Sequence, residues 1–403
     1  MNIRDLPNAM RNHQIHNIAY LTFNGALPSR FADAVCVMNM CSCLAAQGAG
    51  VELIIPKGQA VSLDQLQAHG TLWDFYGLPE NFSLRYLPDP CARFKASVRK
   101  PVYSFLALGC ALLRGAQLVN ARHIELAVMA ARFGKPFVFE CHNFLKPAGS
   151  TLFPRLIEIL NGPRCRGAVV TTTQAGRKSF IEAGVPEGRI AVLPNGVHPR
   201  RYEGLPAGEE LRGLLGLPPA GTLACFSGSL YPGRGIENII YCAERFPAVF
   251  FLVVGGSPEE VARYHAMAQE RSIHNMHFTG HVPGTEVPRY LTASDILLMP
   301  NTSASRGHSM AYTSSMKTFD YLAAGRPIVA SDFPVLREVL VHEQNAYLVP
   351  PDSAHELARG LQWVLDNPGA ARAMAARARS DAAQYTWQKR AERYLSFVRS
   401  TLP

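Results

Sequence analysis

The stretch Tyr312 to Asp332, YTSSMKTFDYLAAGRPIVASD, joins a helix to an apolar strand and indicates the fold. Its polar opening supplies hydroxyls and unpaired backbone N–H groups, as the first turn of a helix does. Gly325-Arg326-Pro327 then turns the chain, and Ile328 to Ala330 is predicted to be a strand. A helix that leads through a short turn into an apolar strand is the repeating unit of a parallel α/β sheet.

The same alternation runs through the rest of the chain in two series. In the first, the predicted strands are His16–Phe23, Val51–Pro56, Leu118–Asn120, Pro136–Glu140, Gly167–Thr173 and Ile190–Pro194, with helices at Phe31–Gln47 and His123–Phe133. In the second, they are Thr222–Ser227, Phe250–Val254, Met276–Thr279, Ile296–Met299 and Pro327–Ala330, with a helix at Ile236–Phe246. This alternation predicts parallel βαβ units in doubly wound sheets.

The restart near residue 200 predicts two Rossmann-like domains. A chain of 403 residues suits this prediction, because a single core rarely exceeds roughly 250–300 residues. We expect an N-terminal domain at 1–198, a second domain at 199–385 and a C-terminal helix at 386–403, with a linker at Asn195–Pro206. Two such domains facing a central cleft bind ligands beyond the carboxyl ends of their strands, so functional residues are sought in the loops that follow strands.

The composition excludes several classes of protein. The chain is 48% hydrophobic and 18% charged, as a folded enzyme is. No stretch reaches ~18 consecutive apolar residues, and the opening MNIRDLPNAM is too polar for a secretion signal. Nine cysteines without CxxC spacing favour reduced thiols in the cytosol. The net charge of +9 favours an anionic partner, but the dispersed basic residues argue against nucleic acid.

A glycine-rich turn, Phe226 to Gly235 (FSGSLYPGRG), joins a predicted strand to a predicted helix. Backbone N–H groups at such a helix entry favour anions, and Arg234 adds a guanidinium suited to phosphate oxygens. A tight βα turn with an exposed arginine is the alternative.

Lys317 and Asp320 follow the helix entry at Thr313, Ser314 and Ser315. A cation in the first turn of a helix is unfavourable by roughly 0.3–1 kcal/mol unless an anion is bound nearby. Lys317 therefore favours a bound anion. Asp320 either pairs with Lys317 three residues away or accepts hydrogen bonds from ribose hydroxyls.

His142 follows a strand in the sequence Phe139 to Asn143, FECHN, and so should face the ligand. Glu140 and Asn143 are close enough in sequence to orient its ring. A lone histidine with a structural role is the alternative.

A basic cluster at Arg93, Lys95, Arg99 and Lys100 precedes the apolar run from Val102 to Leu113. One interpretation is a solvated helix end ahead of a buried helix. The other is a peripheral contact with anionic lipid headgroups.

Taken together, these motifs resemble the retaining, GT-B-fold glycosyltransferases of family 4 over nearly the whole chain. The resemblance is carried by Leu193–Val197 (LPNGV), by Gly280–Pro300 and above all by Tyr312–Asp332. The helix from Asp33 to Gly48, with VELIIP after it, is similar to the first βαβ unit of the family. Arg122-His123 with the later FECHN resembles a branch that acts on polysaccharide or lipid-linked acceptors, and the Trp387 helix resembles the one that crosses back to the first domain.

The resemblance implies a role for individual residues of the second domain. Arg234 and Lys317 bind the diphosphate of a nucleotide-sugar donor, together with the backbone N–H groups of Ser314, Ser315 and Met316. Asp320 holds the ribose, and Val282 presents backbone groups to the base. No cofactor or metal is expected, because the helix entry and the two cations can stabilise the charge of the leaving nucleoside diphosphate.

In the first domain, the resemblance places His142 beside the transferred sugar and the acceptor, as a catalytic residue with Arg234 and Lys317. Gly25 lets the backbone approach the donor phosphate. Two donor-binding positions depart from the family pattern: Tyr312 stands where many members have a sugar-contacting glutamate, and Ser229 where many have an arginine. The ribose carboxylate is also one methylene shorter than the usual glutamate.

The resemblance thus implies a cytoplasmic hexosyltransferase that acts on a glycan or lipid-linked acceptor in cell-surface polysaccharide or glycolipid synthesis. The inner face of the membrane is one location that it implies. A sugar-nucleotide epimerase or a phosphorylase on the same fold is an alternative, since a fold does not determine function. The substitutions at Tyr312 and Ser229 also leave open a non-catalytic scaffold.

Overall fold

A computed structural model describes residues 16–24, 27–57, 70–304, 312 and 314–402. The chain forms two compact units, Met1–Pro194 with Trp387–Pro403, and Asn195–Thr386. The chain enters the second unit four residues before the expected position and leaves it at Thr386, so the last helix belongs to the first unit.

The first unit is built on a parallel sheet with the strand order β3-β2-β1-β4-β5-β6-β7. The strands are β1 (Asn17–Leu21), β2 (Gly50–Pro56), β3 (Ser83–Leu87), β4 (Leu118–Ala121), β5 (Phe137–Cys141), β6 (Gly167–Thr171) and β7 (Ile190–Val192). The strand order reverses between β1 and β4, and in open α/β sheets ligands bind beside such a reversal. Residues that follow β1, β4 and β5 therefore lie where a site is expected.

Helices cover the sheet of the first unit. They are α1 (Ala32–Ala46), α2 (Leu72–Tyr76), α3 (Ala96–Leu113), α4 (Ile124–Arg132), α5 (Leu145–Ala148), α6 (Phe153–Asn161), α7 (Gln174–Glu182) and the C-terminal helix, Trp387–Thr401, with a 3-10 turn at Glu187–Arg189. The predicted strand Gly167–Thr173 ends at Thr171, because the Thr173 hydroxyl accepts a hydrogen bond from the Gly176 N–H at 3.1 Å and caps α7.

The helical spacing of the apolar residues between Trp387 and Val398 predicts an apolar face on the C-terminal helix, and the structure has one. Its buried residues include Trp387, Ala391, Tyr394, Leu395 and Val398, and it packs against α1. Helical spacing of apolar residues identified this face because the opposite side is polar and exposed.

The second unit repeats the architecture with the order β10-β9-β8-β11-β12-β13, again parallel. The strands are β8 (Thr222–Ser227), β9 (Val249–Val254), β10 (Met276–Gly280), β11 (Ile296–Met299), β12 (Ile328–Ser331) and β13 (Tyr347–Val349). The order reverses between β8 and β11, so the glycine-rich turn after β8 and the loop after β11 flank the expected ligand position.

The helices of the second unit alternate with its strands. After a 3-10 turn at Pro199–Tyr202 they are α8 (Gly208–Leu214), α9 (Ile236–Arg245), α10 (Pro258–Glu270), α11 (Val287–Ala293), α12 (Met316–Ala324), α13 (Pro334–Arg337), α14 (Ala354–Asp366) and α15 (Pro368–Ala382); the C-terminal helix is hereafter α16. No helix in the described part of the chain combines the length and apolar content needed to cross a bilayer.

Candidate functional site

The glycine-rich turn of the second unit packs tightly against the loop that follows β11. Gly235 has a φ of 73°, which an L side chain rarely adopts. A Cβ atom added at Gly235 would lie 1.8 Å from the carbonyl oxygen of Pro300. The Thr302 N–H also donates to the Gly233 carbonyl at 3.0 Å. The two loops at the strand-order reversal therefore form one close-packed backbone surface.

Lys317 points toward this turn. Its ammonium nitrogen lies 4.0 Å from the centroid of the Phe226 ring, and 3.1 Å from where a Cβ atom on Gly228 would be. The nitrogen is buried and has no hydrogen-bond partner among the described residues. Burial, reinforced by the nearby positive charge of Arg234, holds the pKa of Lys317 well below its ordinary value of 10.5.

Arg234 is the second cation of this region. Its guanidinium carbon lies 4.2 Å from the centroid of the Tyr231 ring, and it donates to the Tyr231 hydroxyl. Its Nε atom is buried without a hydrogen-bond partner in the described structure. Burial lowers the pKa of Arg234 to about 10. In the alternative interpretation, a tight βα turn with an exposed arginine, the exposure of Arg234 is therefore wrong.

Two buried cations beside each other are unfavourable unless an anion compensates them, because removing each charge from water costs several kcal/mol. The charged group that shifts the pKa of Lys317 is another cation, Arg234. A multiply charged anion at this position would offset the repulsion between the two cations, accept hydrogen bonds from Arg234 Nε and Lys317 Nζ, and raise both pKa values.

The entry of α12 completes the surface around these cations. Ser315 is its N-cap residue, and the Ser315 side chain makes no capping hydrogen bond. The chain before the helix is held by Asn195, whose side-chain amide donates to the Ser314 carbonyl at 2.8 Å and whose N–H contacts the Ser314 hydroxyl at 3.4 Å. The N–H groups of Met316 and Lys317 lie in the first turn, where no helical carbonyl can accept from them.

Asp320 does not pair with Lys317, so that sequence-based alternative is wrong. The Asp320 carboxylate instead accepts a hydrogen bond from the Tyr202 hydroxyl at 3.0 Å. Lys317 is directed to the glycine-rich turn and Asp320 to the 3-10 turn at Pro199–Tyr202, so the two charges diverge from one helix. Burial raises the pKa of Asp320 to about 6, although the Tyr202 hydrogen bond acts in the opposite direction.

The remaining predicted residues of the second unit have less distinctive surroundings. Val282 follows β10 and is partly buried against the core of the unit. Ser229 is exposed within the glycine-rich turn, and Tyr312 is half-buried. Gly25 and Thr313 lie outside the described residues, so their predicted roles stay predictions.

His142 follows β5 in the first unit and is largely buried, with 18% of its side chain exposed. Its Nε2 atom lies 2.9 Å from Glu140 Oε1 and contacts the Arg122 guanidinium. Burial and then the charge of Arg122 lower the pKa of His142 to about 4. The ring is therefore neutral at physiological pH. Of the two residues predicted to orient the ring, Glu140 contacts it, and the side-chain oxygen of Asn143 accepts from the Leu145 N–H at 3.0 Å.

Arg122 connects His142 to the loop region after β1. It pairs with Asp33 in the first turn of α1, and Asp33 also accepts from the Asn24 side chain. Although burial opposes it, the charge of Arg122 holds the pKa of Asp33 below its ordinary value. One third of the Asp33 side chain is exposed, so this carboxylate reaches the surface while Glu140 does not.

Several residues of both sites could not be found from sequence patterns. Tyr202 and Arg390 lie far along the chain from the residues they contact, and Tyr20 and Asn120 sit inside strands. One signal was present: a glutamate within the apolar strand Phe137–Cys141 is buried, and a buried carboxylate requires partners. Within the described residues, no cluster of three His, Cys, Asp or Glu side chains is placed to hold a metal ion.

Two family models match this chain. The model described as Glycosyltransferase Family 4 matches residues 34–201, and the model described as Glycosyl transferases group 1 matches residues 209–381. Together they span most of both compact units.

Curated relatives match over shorter segments. A 2-deoxystreptamine glucosyltransferase from Streptomyces kanamyceticus is 29% identical over 211 residues, which is 51% of this chain and 52% of that protein. A phosphatidyl-myo-inositol mannosyltransferase from Mycobacterium tuberculosis is 32% identical over 128 residues, 31% of each chain. The chain thus spans about half or less of the length of these relatives.

Solved structures match over nearly the whole chain. HepE from Anabaena, in complex with UDP, superposes with a TM-score of 0.74 at 17% identity, covering 95% of this chain and 100% of that one; HepE has also been solved with UDP-glucose. Sucrose-phosphate synthase from Thermosynechococcus elongatus gives a TM-score of 0.71 at 18% identity, covering 96% and 98%. At these identities the likeness establishes the fold, which is GT-B.

Proposed function

The chain belongs to family 4 of the glycosyltransferases, and from that premise we propose that it transfers a hexose from a nucleoside-diphosphate sugar to a glycan or lipid-linked acceptor. The observation that carries the proposal is the pair of buried cations, Arg234 and Lys317, whose Nε and Nζ atoms have no partner in the described structure. A diphosphate is an anion of suitable charge for both.

The rest of the donor is assigned to the same unit. The first-turn N–H groups of Met316 and Lys317, with those of Ser314 and Ser315 just before them, supply further donors to phosphate oxygens. Asp320 accepts hydrogen bonds from ribose hydroxyls while Tyr202 holds its carboxylate. Val282 presents backbone groups to the base, and Ser229 and Tyr312 lie at the edge of the donor. UDP-glucose is the first donor to test, because HepE binds it.

The proposed reaction retains the anomeric configuration. The bond from C1 of the sugar to the diphosphate oxygen breaks, and a bond from C1 to the acceptor oxygen forms on the same face. The acceptor hydroxyl passes its proton to the departing phosphate. Arg234, Lys317 and the helix entry stabilise the charge that develops on that phosphate, and the neutral His142 ring serves the transferred sugar and the acceptor through hydrogen bonds.

We further propose that the first unit contacts a membrane on the cytosolic side. Helix α3 and its flanks expose apolar side chains to solvent: Phe94, Val98, Phe105, Leu106, Leu113 and, from the end of α4, Phe133. Of the four basic residues, Arg99 pairs with Asp89 at 2.6 Å and Lys100 with Glu125 at 2.7 Å. The attraction to anionic lipid is therefore assigned to Arg93 and Lys95, beside the exposed apolar face.

The test of the donor assignment is calorimetric titration of UDP and other nucleoside diphosphates into the wild-type chain and into Arg234→Ala and Lys317→Ala. We expect the two substitutions to weaken binding by at least tenfold, about 1.4 kcal/mol. Arg372→Ala, on the exposed side of α15, is the matched control and should bind as the wild type does. Equal affinities in all four proteins would refute the diphosphate assignment.

A second measurement tests catalysis. Release of nucleoside diphosphate that requires an added acceptor supports transfer, and NMR of the product distinguishes retention from inversion at C1. An epimerised nucleotide sugar formed without acceptor, or binding without turnover across a panel of acceptors, would contradict the proposed activity.

A further inference from the structure

Glu140 is the most heavily hydrogen-bonded side chain of the first unit's site. Its side chain is 1% exposed, yet it lies within the apolar strand β5. One oxygen faces the Tyr20 hydroxyl and the Asn120 amide. The other faces Arg122 at 3.2 Å, Arg390 at 2.8 Å and His142 at 2.9 Å. Although burial opposes it, the charges of Arg390 and then Arg122 hold the pKa of Glu140 well below its ordinary value.

Two of these contacts originate in the C-terminal helix. Arg390 and Tyr394 are one turn apart on α16, and both are buried. The Arg390 side chain is 2% exposed, and its Nε atom also donates to the carbonyls of Leu193 at 3.2 Å and Pro194 at 3.0 Å. The Tyr394 hydroxyl donates to the Asn120 side-chain oxygen at 2.8 Å, which turns the Asn120 amide toward Glu140.

We propose that Arg390 is a positioning residue for His142, acting through Glu140, and that the C-terminal helix is therefore part of the catalytic apparatus. The proposal rests on the function assigned to His142 above. Arg390 fixes the Glu140 oxygen that His142 contacts, and its donation to Leu193 and Pro194 leaves the guanidinium one orientation. A displacement of the ring by about 1 Å can cost on the order of a hundredfold in rate.

The charge balance around His142 depends on the same arginine. The charged groups that face the His142 ring are Asp33 from α1, Arg122 after β4, Glu140 from β5 and Arg390 from α16. The Tyr20 hydroxyl on β1 lies against Glu140. The positive charges of the two arginines balance the negative charges of the two carboxylates, and the His142 ring stays neutral. Without Arg390 the cluster carries a net negative charge, which favours the protonated imidazolium.

The experiment compares Arg390→Met, Arg390→Lys and Tyr394→Phe with Arg393→Met, an exposed arginine on the same helix. Sugar transfer is measured from pH 4.5 to 8 at saturating donor, so that kcat reports on the enzyme–donor complex. Donor affinity is measured by calorimetry with UDP, which lacks the sugar that His142 is proposed to serve. The proposed nucleotide site lies in the other unit and should not respond.

We expect Arg390→Met to lower kcat by on the order of tenfold to a hundredfold, with unchanged donor affinity and an acid limb displaced toward higher pH. Arg390→Lys should restore the acid limb, since it keeps the charge. It should not restore the full kcat, since a compact ammonium cannot reach all four acceptors of the guanidinium, which are Leu193 O, Pro194 O, Met40 Sδ and Glu140 Oε1. Tyr394→Phe loses only a hydroxyl and should show a smaller loss of kcat. It keeps the inference testable if Arg390→Met fails to fold.

Wild-type rates and pH profiles in all three substituted proteins would overturn the inference while leaving the proposed function intact. Equal losses in Arg390→Met and Arg390→Lys with no displacement of the acid limb would also overturn it, by indicating a structural role. A wild-type chain with no transfer activity would instead contradict the proposed function.

Discussion

The Lys317 ammonium lies against the face of the Phe226 ring, 4.0 Å from its centroid, and it has no hydrogen-bond partner in the described structure. A ring face attracts a cation weakly, by roughly 0.5–2 kcal/mol. Desolvation of a buried ammonium costs more than that. The contact therefore orients Lys317 without satisfying its N–H donors, and the proposed diphosphate would supply the missing acceptors.

Proton uptake should accompany nucleoside diphosphate binding. Because burial lowers the pKa of Lys317, part of the unliganded protein carries it neutral at alkaline pH, and the bound anion returns it to the charged form. Calorimetry at pH 8.5 in two buffers of different ionisation enthalpy should give different apparent binding enthalpies. Lys317 is the single lysine in the sequence from Asn195 to Thr386. The difference between the two apparent enthalpies should therefore vanish in Lys317→Met and persist in Arg372→Ala. Identical enthalpies in the two buffers for the wild type would count against proton uptake by Lys317.

Nucleotide affinity should fall as the pH drops through about 6, because Asp320 then becomes protonated and accepts less strongly from the ribose. The phosphates titrate in the same range, so Asp320→Asn provides the reference curve. The difference between the two curves of affinity against pH isolates the contribution of the Asp320 carboxylate to nucleotide binding. Tyr202→Phe removes a hydrogen bond that lowers the pKa of Asp320, and should move the midpoint of that difference to higher pH. Parallel curves for the wild type and Asp320→Asn would contradict the ribose assignment.

Gly235→Ala should destabilise the second unit and weaken donor binding. The new Cβ would meet the Pro300 carbonyl oxygen at 1.8 Å, and the positive φ adds strain, so we expect a loss of about 2 kcal/mol or more in the free energy of unfolding. The matched control is Gly213→Ala, within α8 and with nothing within 4 Å of its added Cβ. That control should be neutral or stabilising by up to about 1 kcal/mol, as read from urea denaturation.

Acid should destabilise the first unit before its carboxylates titrate. Burial lowers the pKa of both His123 and His142 from 6.5 to about 4, so the folded unit binds fewer protons than the unfolded chain. The stability that the neutral rings provide is complete above pH 6.5 and is lost as the pH falls toward 4, at up to about 1.4 kcal/mol per pH unit for each histidine.

Tryptophan fluorescence can isolate this loss, because Trp73 and Trp387 belong to the first unit and Trp363 to the second. In a Trp363→Phe background, urea midpoints at pH 7 and pH 5 should differ. His123→Gln and His142→Gln should each reduce the difference, whereas His274→Gln, on an exposed residue, should leave it unchanged. A stability that does not vary between pH 7 and pH 5 would disprove the prediction.

Membrane contact should depend on the exposed side chains around α3. Leu113 is 91% exposed and Phe105 56% exposed, so replacing both with serine should reduce co-sedimentation with anionic vesicles and leave the fold intact. Arg93→Gln with Lys95→Gln should reduce binding to anionic vesicles only. Arg99→Gln serves as the comparison, since Arg99 already pairs with Asp89. Binding that is unaffected by the serine substitutions would argue against this surface.

The sequence located the buried strands well because each is a short apolar run between turn residues. It did not reveal β3 or β13, which form the edges of their sheets. The β3 sequence, SLRYL, alternates polar and apolar residues in a partly exposed strand, so its signal is weak. A buried helix was one of the two interpretations of the apolar run in α3, yet Phe105 and Leu113 are exposed, because the run covers all faces of the helix and not one stripe.

The candidate residues were found where the local chemistry is unusual. Lys317 stood out as a cation at a helix N-terminus, and His142 as a polar residue directly after a buried strand. Their partners were not found, because Tyr202 lies 118 residues from Asp320 and Arg390 lies 250 residues from Glu140. Contacts of that separation leave no periodic signal along the chain; only a buried charge indicates that some partner must exist.

The two ends of the second unit are joined to each other within that unit. Val197 forms a parallel bridge with Thr386, and its N–H donates to the Tyr385 carbonyl at 2.9 Å. A segment whose entrance and exit are neighbours can be removed or exchanged without stretching what remains. Residues 195–386 therefore form a cassette that can be exchanged for the equivalent segment of another family member, to measure whether donor preference moves with it. The exchanged segment must end before Trp387, since helix α16 belongs to the first unit, which is retained.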